Sequence, residues 1–205
     1  MDYKKEYIKT KLTELSNSYK SVAILSDYAI KTNDFKLVFS LFCELKSIFN
    51  KILLFVKNNC PKSIYEKVEN LDTENLPDYF EPLKTVDIYS KILSLKYPNI
   101  ETDNPKEKIM LHKMGIEFNP TEEISYLGIA KILLEEKKYP QVIKLCEYIK
   151  TISNTAPVWE ILGDTYRELK DYGKSIDAYS KYLELNEKDA EGEAKLAETY
   201  EEALK

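Results

Sequence analysis

Residues 157–166 read PVWEILGDTY, and this stretch decides how the rest of the chain is interpreted. The chain has one tryptophan and only five glycines in 205 residues, and Trp159 and Gly163 stand four residues apart here. The spacing of Trp159, Leu162 and Tyr166 places all three on one face of a helix. Because a glycine inside a helix costs about 1 kcal/mol relative to alanine, Gly163 predicts the close approach of a second helix.

The composition is typical of a mostly helical protein, since 43% of residues are apolar, 32% are charged, and only 5 are Gly and 8 Pro. Apolar residues recur at helical spacing through residues 3–57 and are interrupted only by the polar stretch 31–35. This pattern predicts an antiparallel hairpin of two long helices. Shorter helices are predicted near 61–70, 83–97 and 106–114, and the proline-containing segments 71–82 and 98–108 are predicted to be loops.

A repeat with a period of 33 or 34 residues occupies the second half. Leu162 and Tyr166 recur 34 residues later as Leu196 and Tyr200, and residues 137–150 align with 170–183. Such a period indicates stacked helical units. The predicted pairs are 120–136 with 139–151 and 156–169 with 172–185, followed by a last helix at 190–204, with Asn119, Thr155 and Asp189 as N-caps.

These residues resemble the tetratricopeptide repeat family, whose pattern is W-x2-L-G-x2-Y, then A-x3-F, then P. The second copy matches the first part fully, while Glu187 stands in place of the closing proline. The first copy has Tyr126, Ile129, Ala130 and Leu133 at the leading positions, and the third begins at Glu193. The structural repeat positions are Trp159, Leu162, Gly163, Tyr166, Ser175, Tyr179, Leu196, Ala197 and Tyr200.

The expected fold is therefore all-α, with a helical hairpin or bundle followed by a tetratricopeptide-like α-solenoid of about two and a half repeats. We assign the N-terminal helical region to residues 1–97 and a linker or long loop to 98–108. Residues 109–205 hold the repeats and a C-terminal capping helix. The sequence leaves open whether 1–97 is a separate domain or a continuation of the solenoid.

The resemblance implies a concave groove lined by the first helix of each pair. By position in the motif, the groove candidates are Leu127, Lys131 and Leu134, then Glu160, Asp164 and Arg167, then Ala194, Glu198 and Glu201. This groove would be apolar at one end and acidic at the other. It would suit a protein or peptide segment with basic residues and some apolar anchors.

The charge and the motifs of the sequence disfavour several other classes of function. The net charge is −5, and Arg167 is the only arginine, which disfavours nucleic acid and anionic membranes as partners. His112 is the only histidine, and no Cys-x-x-Cys pair or glycine-rich phosphate loop occurs. Adjacent carboxylates on a helix diverge by about 100° and do not form an acid/base pair. We therefore expect a non-enzymatic protein without metal or cofactor.

Two further expectations concern location and assembly. Three widely separated cysteines and the lack of a signal-like or membrane-spanning apolar run predict a cytoplasmic protein. The alternative to groove binding is a structural or assembly role, in which the hairpin at 3–57 pairs with another copy or another subunit. Its motivation is a set of aromatic residues that spread over more than one helix face: Phe39, Phe42, Phe49 and Phe55.

Overall fold

The computed structural model describes residues 3–205, which fold into ten α-helices and two short 3-10 helices without any β-strand. The helices are α1 (Tyr3–Lys31), α2 (Phe35–Asn59), α3 (Lys62–Glu69), α4 (Leu83–Lys96), α5 (Pro105–Phe118), α6 (Glu123–Glu135), α7 (Tyr139–Ile152), α8 (Ala156–Glu168), α9 (Tyr172–Leu185) and α10 (Ala190–Ala203). The 3-10 helices cover Asp78–Phe80 and Tyr97–Asn99. The predicted all-α fold class, a helical hairpin followed by helices packed in series, is confirmed.

The chain divides into two compact units. Unit 1 extends to Glu101 and also contains residues 117–119, whereas unit 2 contains residues 102–116 and 120–205. Helix α5 begins at Pro105, inside the segment 98–108 that the sequence suggested as a linker. Its last residues, Glu117 and Phe118, belong to unit 1, so Phe118 packs edge-on against Phe42 of α2.

Unit 1 is built on the hairpin of α1 and α2. The predicted apolar stripes form its buried faces, with Leu12 and Tyr19 of α1 and Leu45 and Ile52 of α2 fully buried. The turn between the helices places Asn33 at φ 53°, and the Asp34 carboxylate accepts a hydrogen bond from the Leu37 backbone N–H at 3.0 Å. An aspartate N-cap of this kind starts a helix by satisfying an otherwise unpaired backbone donor.

Helix α4 also packs along α1, through a contact that is more polar than the one between α1 and α2. The hydroxyl groups of Tyr19 and Ser90 lie 2.8 Å apart in the buried interface. Lys96 of α4 forms an ion pair with Asp27 of α1 nearer the far end of the two helices. Since the later residue of α4 meets the later residue of α1, the two helices run in the same direction.

After most of α5, unit 2 repeats one helical pair twice and then adds a single helix. The pair α6–α7 and the pair α8–α9 are joined by the same turn, in which Lys137 (φ 57°) and Lys170 (φ 60°) adopt the left-handed conformation. In the second pair the N–H of Asp171 donates to the Tyr166 carbonyl at 2.9 Å. This bond, from the last to the first residue of a six-residue segment, is the hydrogen bond of a Schellman motif, which ends a helix. The two turns lie 33 residues apart, as the alignment predicts.

Two of the three predicted helix starts hold, but only one of the two is capped by its side chain. Asp189 caps α10 by accepting from the Gly192 N–H at 3.1 Å. Thr155 is the N-cap residue of α8, but its hydroxyl donates to Glu123 at 2.8 Å and forms no cap hydrogen bond. However, α6 begins at Glu123 rather than at 120, so Asn119 is not its cap. The Tyr126 hydroxyl donates to the Pro120 carbonyl at 2.9 Å, which holds that segment as a turn before the helix.

Candidate protein-binding groove

Gly163 lies where α8 and α9 touch. A Cβ atom built on Gly163 would stand 2.6 Å from the Tyr179 ring, so any side chain there would collide with α9. The Ser175 hydroxyl donates to the Gly163 carbonyl at 2.9 Å, and the Tyr179 hydroxyl donates to Asp164 at 2.6 Å. The small and aromatic positions of α9 therefore join the two helices of the pair across the glycine.

The other leading positions of α8 pack as the motif suggests. Leu162 belongs to the buried core of unit 2, and Trp159 and Tyr166 pack against that core while remaining partly exposed. The Trp159 indole N–H donates to the Asn154 side chain at 2.8 Å, and the Lys150 ammonium lies 4.4 Å from the centre of a Trp159 ring. Trp159 is thus occupied by contacts within unit 2.

The third copy departs from the expected pattern. Leu196 is half-buried, but Ala197 is exposed and Tyr200 is 51% exposed. The residues of α10 that are buried are Gly192 and Thr199 instead. Ala197 and Tyr200 do not pack as their counterparts in α8 do, because no helix of residues 3–205 covers that face of α10.

The charged groove positions of α8 are paired with α10. Lys195 donates to Glu160 at 2.6 Å and lies 3.6 Å from Asp164. Arg167 pairs with Glu202 at 2.6 Å and with Glu198 at 3.0 Å. We call this set the charge ladder: Glu160, Asp164 and Arg167 of α8 with Lys195, Glu198 and Glu202 of α10.

The charge ladder corrects the expected distribution of charge in the groove. Lys195 offsets the two acidic positions of α8, so this end is not a free acidic surface. Ala194 and Glu201 are exposed and take no part in the ladder. Sequence reasoning missed Lys195 and Glu202, although a signal existed: Glu160 with Lys195 and Arg167 with Glu202 are opposite charges at a separation of 35 residues.

The ladder also shifts the ionisation of its members. The hydrogen bond from Arg167 to Glu202 is the main reason why the pKa of the Arg167 guanidinium is raised and the pKa of Glu202 is lowered. Burial acts to lower the pKa of Lys195, but the Glu160 hydrogen bond and the Asp164 charge raise it overall. All three groups therefore keep their charges over the ordinary pH range.

A cavity of about 730 Å³ lies where the C-terminal ends of α6 and α8 meet α10. We call it the groove cavity. Its lining has four carboxylates, three cations, two tyrosines and one leucine, namely Glu135, Asp164, Glu168 and Glu202, then Lys137, Arg167 and Lys170, then Tyr139, Tyr172 and Leu134. This volume falls within the usual range of ligand-binding pockets, about 300–1,000 Å³.

Three of the predicted groove candidates line the groove cavity, and others lie outside it. Leu134, Asp164 and Arg167 line it. Leu127 is half-buried and Lys131 is exposed, and both lie further back along α6 outside the lining.

The tyrosines of the cavity are the main addition to the predicted site. Tyr139 and Tyr172 begin α7 and α9, and the Tyr139 hydroxyl donates to Glu168 at 3.1 Å. They occupy equivalent places in the two copies, as do Lys137 and Lys170 in the preceding turns. The 33-residue alignment pairs them, but the motif positions of the first helices alone do not place them in the groove.

Within residues 3–205 no three His, Cys, Asp or Glu side chains are grouped to hold a metal ion. His112 is buried in unit 2 against Gly128, and burial lowers its pKa to about 4.

No helix within residues 3–205 is long and apolar enough to cross a membrane. No protein-family model and no curated protein sequence matches this chain.

Proposed function

We propose that this chain is a non-enzymatic protein–protein interaction module of the tetratricopeptide repeat type, acting as a scaffold or adaptor. The observation that carries the proposal is the groove cavity, which combines apolar and aromatic side chains with carboxylates at the ends of α6 and α8. The repeated turns and the Gly163 contact with Tyr179 support the comparison with that family.

The lining indicates the chemistry of the ligand. Leu134, Tyr139 and Tyr172 provide apolar and aromatic surface for one or two anchoring side chains. Glu135 and Glu168 are exposed, so a Lys or Arg of the ligand can reach them without breaking the charge ladder. We therefore propose a short protein segment with an apolar anchor beside one or two basic residues, bound without a cofactor.

The test uses a library of displayed 12-residue peptides selected against the whole chain. Selected peptides should be enriched in a basic residue next to an apolar one. For one such peptide, Glu135→Lys should weaken binding about tenfold, since it puts a like charge beside the basic residue. The control Asp177→Lys makes the same change in net charge on an exposed position of α9 and should leave the affinity unchanged. Equal affinity of wild type and Glu135→Lys would show that the peptide does not use the groove cavity.

We also propose a cytoplasmic location. Cys43, Cys60 and Cys146 are all free thiols in the described structure, and Cys146 is fully buried in the core of unit 2. Free thiols of this kind persist in reducing compartments. Mass spectrometry of the protein from its native cells, after rapid alkylation, should find all three cysteines as thiols.

The second candidate function is assembly through the hairpin at 3–57. It is favoured by apolar side chains on the outward side of α2, where Phe39 is 37% and Leu54 is 60% exposed. Phe42 is buried and Phe49 and Phe55 are half-buried, so only part of the expected aromatic set is available to a partner. Light scattering over a wide concentration range tests this role, and a strict monomer throughout removes self-association.

A further inference from the structure

The outward side of α2 forms a shallow groove of about 610 Å³, lined by residues of this one helix. We call it the α2 outer face, and its lining includes Phe39, Cys43, Lys46, Ser47, Lys51 and Leu54. Large exposed side chains stand at its two ends, Phe39 and Leu54, while Cys43 and Ser47 between them are small and exposed. Small residues between two ridges allow another helix to approach closely.

The α2 outer face is basic. Helix α2 carries four lysines and one glutamate, so its formal charge is +3. Among residues 3–205 no carboxylate lines the groove, and Lys46 is the only lining lysine in an ion pair, with Glu117 at 2.8 Å. Lys51 forms no ion pair within the described residues, which leaves its charge available to a partner.

Helix α10 presents a surface of the opposite kind. Ala197, Tyr200 and Leu204 follow one another at spacings of three and four, so they form one line, and Tyr200 is 51% and Leu204 88% exposed. Glu193 and Glu201 flank this line and form no ion pair within residues 3–205. We call this surface the α10 outer face. Helix α10 has five glutamates and one lysine, a formal charge of −4.

We propose that the α10 outer face of one copy of this chain docks on the α2 outer face of a second copy. This inference deepens the assembly role proposed above and rests on it. The two surfaces match in charge, since one is basic and the other acidic. They also match in length, because the 14 residues of α10 span about 21 Å and the 15-residue separation of Phe39 and Leu54 spans about 22 Å.

The contact has a defined arrangement. Leu204 packs beside Leu54, and Ala197 lies over the small residue Ser47, because Ala197 to Leu204 and Ser47 to Leu54 are both separations of seven residues, about 10 Å. Tyr200 lies between Ala197 and Leu204, and the first half of α10 extends over Cys43 towards Phe39. In this register Glu201 comes within reach of Lys51 at the rim. Since the two surfaces differ, the contact is heterologous, and it links copies head to tail into a ring or an open chain.

The occupant is a protein surface rather than nucleic acid. The α2 outer face has no arginine, and exposed apolar side chains close both of its ends. Arginine forks recognise phosphate best, whereas apolar anchors favour another protein surface. The experiments are therefore run on protein treated with nuclease, and self-association that disappears with nuclease overturns the proposal.

Sedimentation equilibrium of the full chain provides the main test. At about 50 mM salt the apparent mass should rise above 23.9 kDa with concentration, and it should fall back at about 500 mM salt. Lys51→Glu alone and Glu201→Lys alone should each weaken association about tenfold, and the double variant should recover most of the loss. The control Asp177→Lys, on α9, should behave as wild type.

Cys43 gives a second readout at the centre of the contact. Its alkylation rate, followed by peptide mass spectrometry, should fall severalfold between dilute and concentrated wild-type protein, while half-buried Cys60 should be unaffected. Association that Lys51→Glu leaves unchanged, or that leaves Cys43 fully reactive, overturns this contact but not the assembly role. A chain that is monomeric at every concentration overturns both this contact and self-association through the hairpin, whereas neither result bears on peptide binding by the groove cavity.

Discussion

Gly163→Ala is the substitution that tests the close approach of α8 and α9 most sharply. The added Cβ would lie 2.6 Å from two carbons of the Tyr179 ring, although carbon atoms prefer a separation of about 3.5–4.0 Å. Tyr179 is fully buried and its hydroxyl is bonded to Asp164, so the ring cannot move aside without losing that bond. The added methyl group would therefore overpack the core against the Tyr179 ring, which is held in place.

Two opposing contributions set the size of the effect. Alanine is a better helix former than glycine by about 1 kcal/mol, while overpacking a core costs about 1–3 kcal/mol. The fixed ring places the steric cost in the upper part of that range. We therefore expect Gly163→Ala to lower the free energy of unfolding by about 1–2 kcal/mol, a change of sign relative to the usual effect of this substitution in a helix.

The assay is urea unfolding followed by tryptophan fluorescence. Trp159 is the only tryptophan and lies in α8, so the signal reports on unit 2 directly. The matched control is Gly173→Ala in α9, where an added Cβ has no atom within 4 Å. That control should be neutral or more stable by up to about 1 kcal/mol. If Gly163→Ala is as stable as wild type or more so, the close-packing account of the motif is wrong.

Three other predictions concern charge and burial. Lys195→Glu should destabilise unit 2 by about 1–2 kcal/mol in the same urea assay, with a smaller effect at high salt, because it replaces an attraction to Glu160 with a repulsion. The burial of His112 lowers its pKa to about 4 from about 6.5 when unfolded, so the native state binds fewer protons and stability falls as the pH drops from about 6.5 towards 4. That loss should approach about 3 kcal/mol, and pH-dependent urea unfolding should show it reduced in His112→Gln. Burial raises the pKa of the Cys146 thiol to about 12, so a thiol reagent should modify exposed Cys43 in the native protein and reach Cys146 only on unfolding.

The periodic features of the fold were accessible from the sequence. The apolar stripes of α1 and α2 and the 33-residue offset between Lys137 and Lys170 depend on spacing along one or two helices, and the structure keeps them. Gly163 was informative because glycine is unfavourable inside a helix and a close contact compensates for that cost, although Gly173 near the start of α9 has no such contact. In each of these cases the signal is local or repeats along the chain.

The groove was harder to predict because it depends on the rotation of one helix against another. Motif positions placed Ala194 and Glu201 in the groove, but α10 turns Lys195 and Glu202 towards α8 instead. A rotation by one residue, about 100°, converts an acidic surface into a charge ladder. Ala197 shows the same limit, since its role as a contact depends on a neighbouring helix and not on its own identity.

The central claim is that a peptide segment binds in the groove cavity, and site-specific photo-crosslinking tests it most directly. A photoreactive amino acid is placed at Tyr172, which lines the cavity, or at Tyr148, which is 48% exposed on α7 outside it. A peptide selected against the whole chain should crosslink to the protein labelled at position 172, and unlabelled peptide should compete for that site. Crosslinking that is equal at both positions, or confined to position 148, would contradict the proposed site.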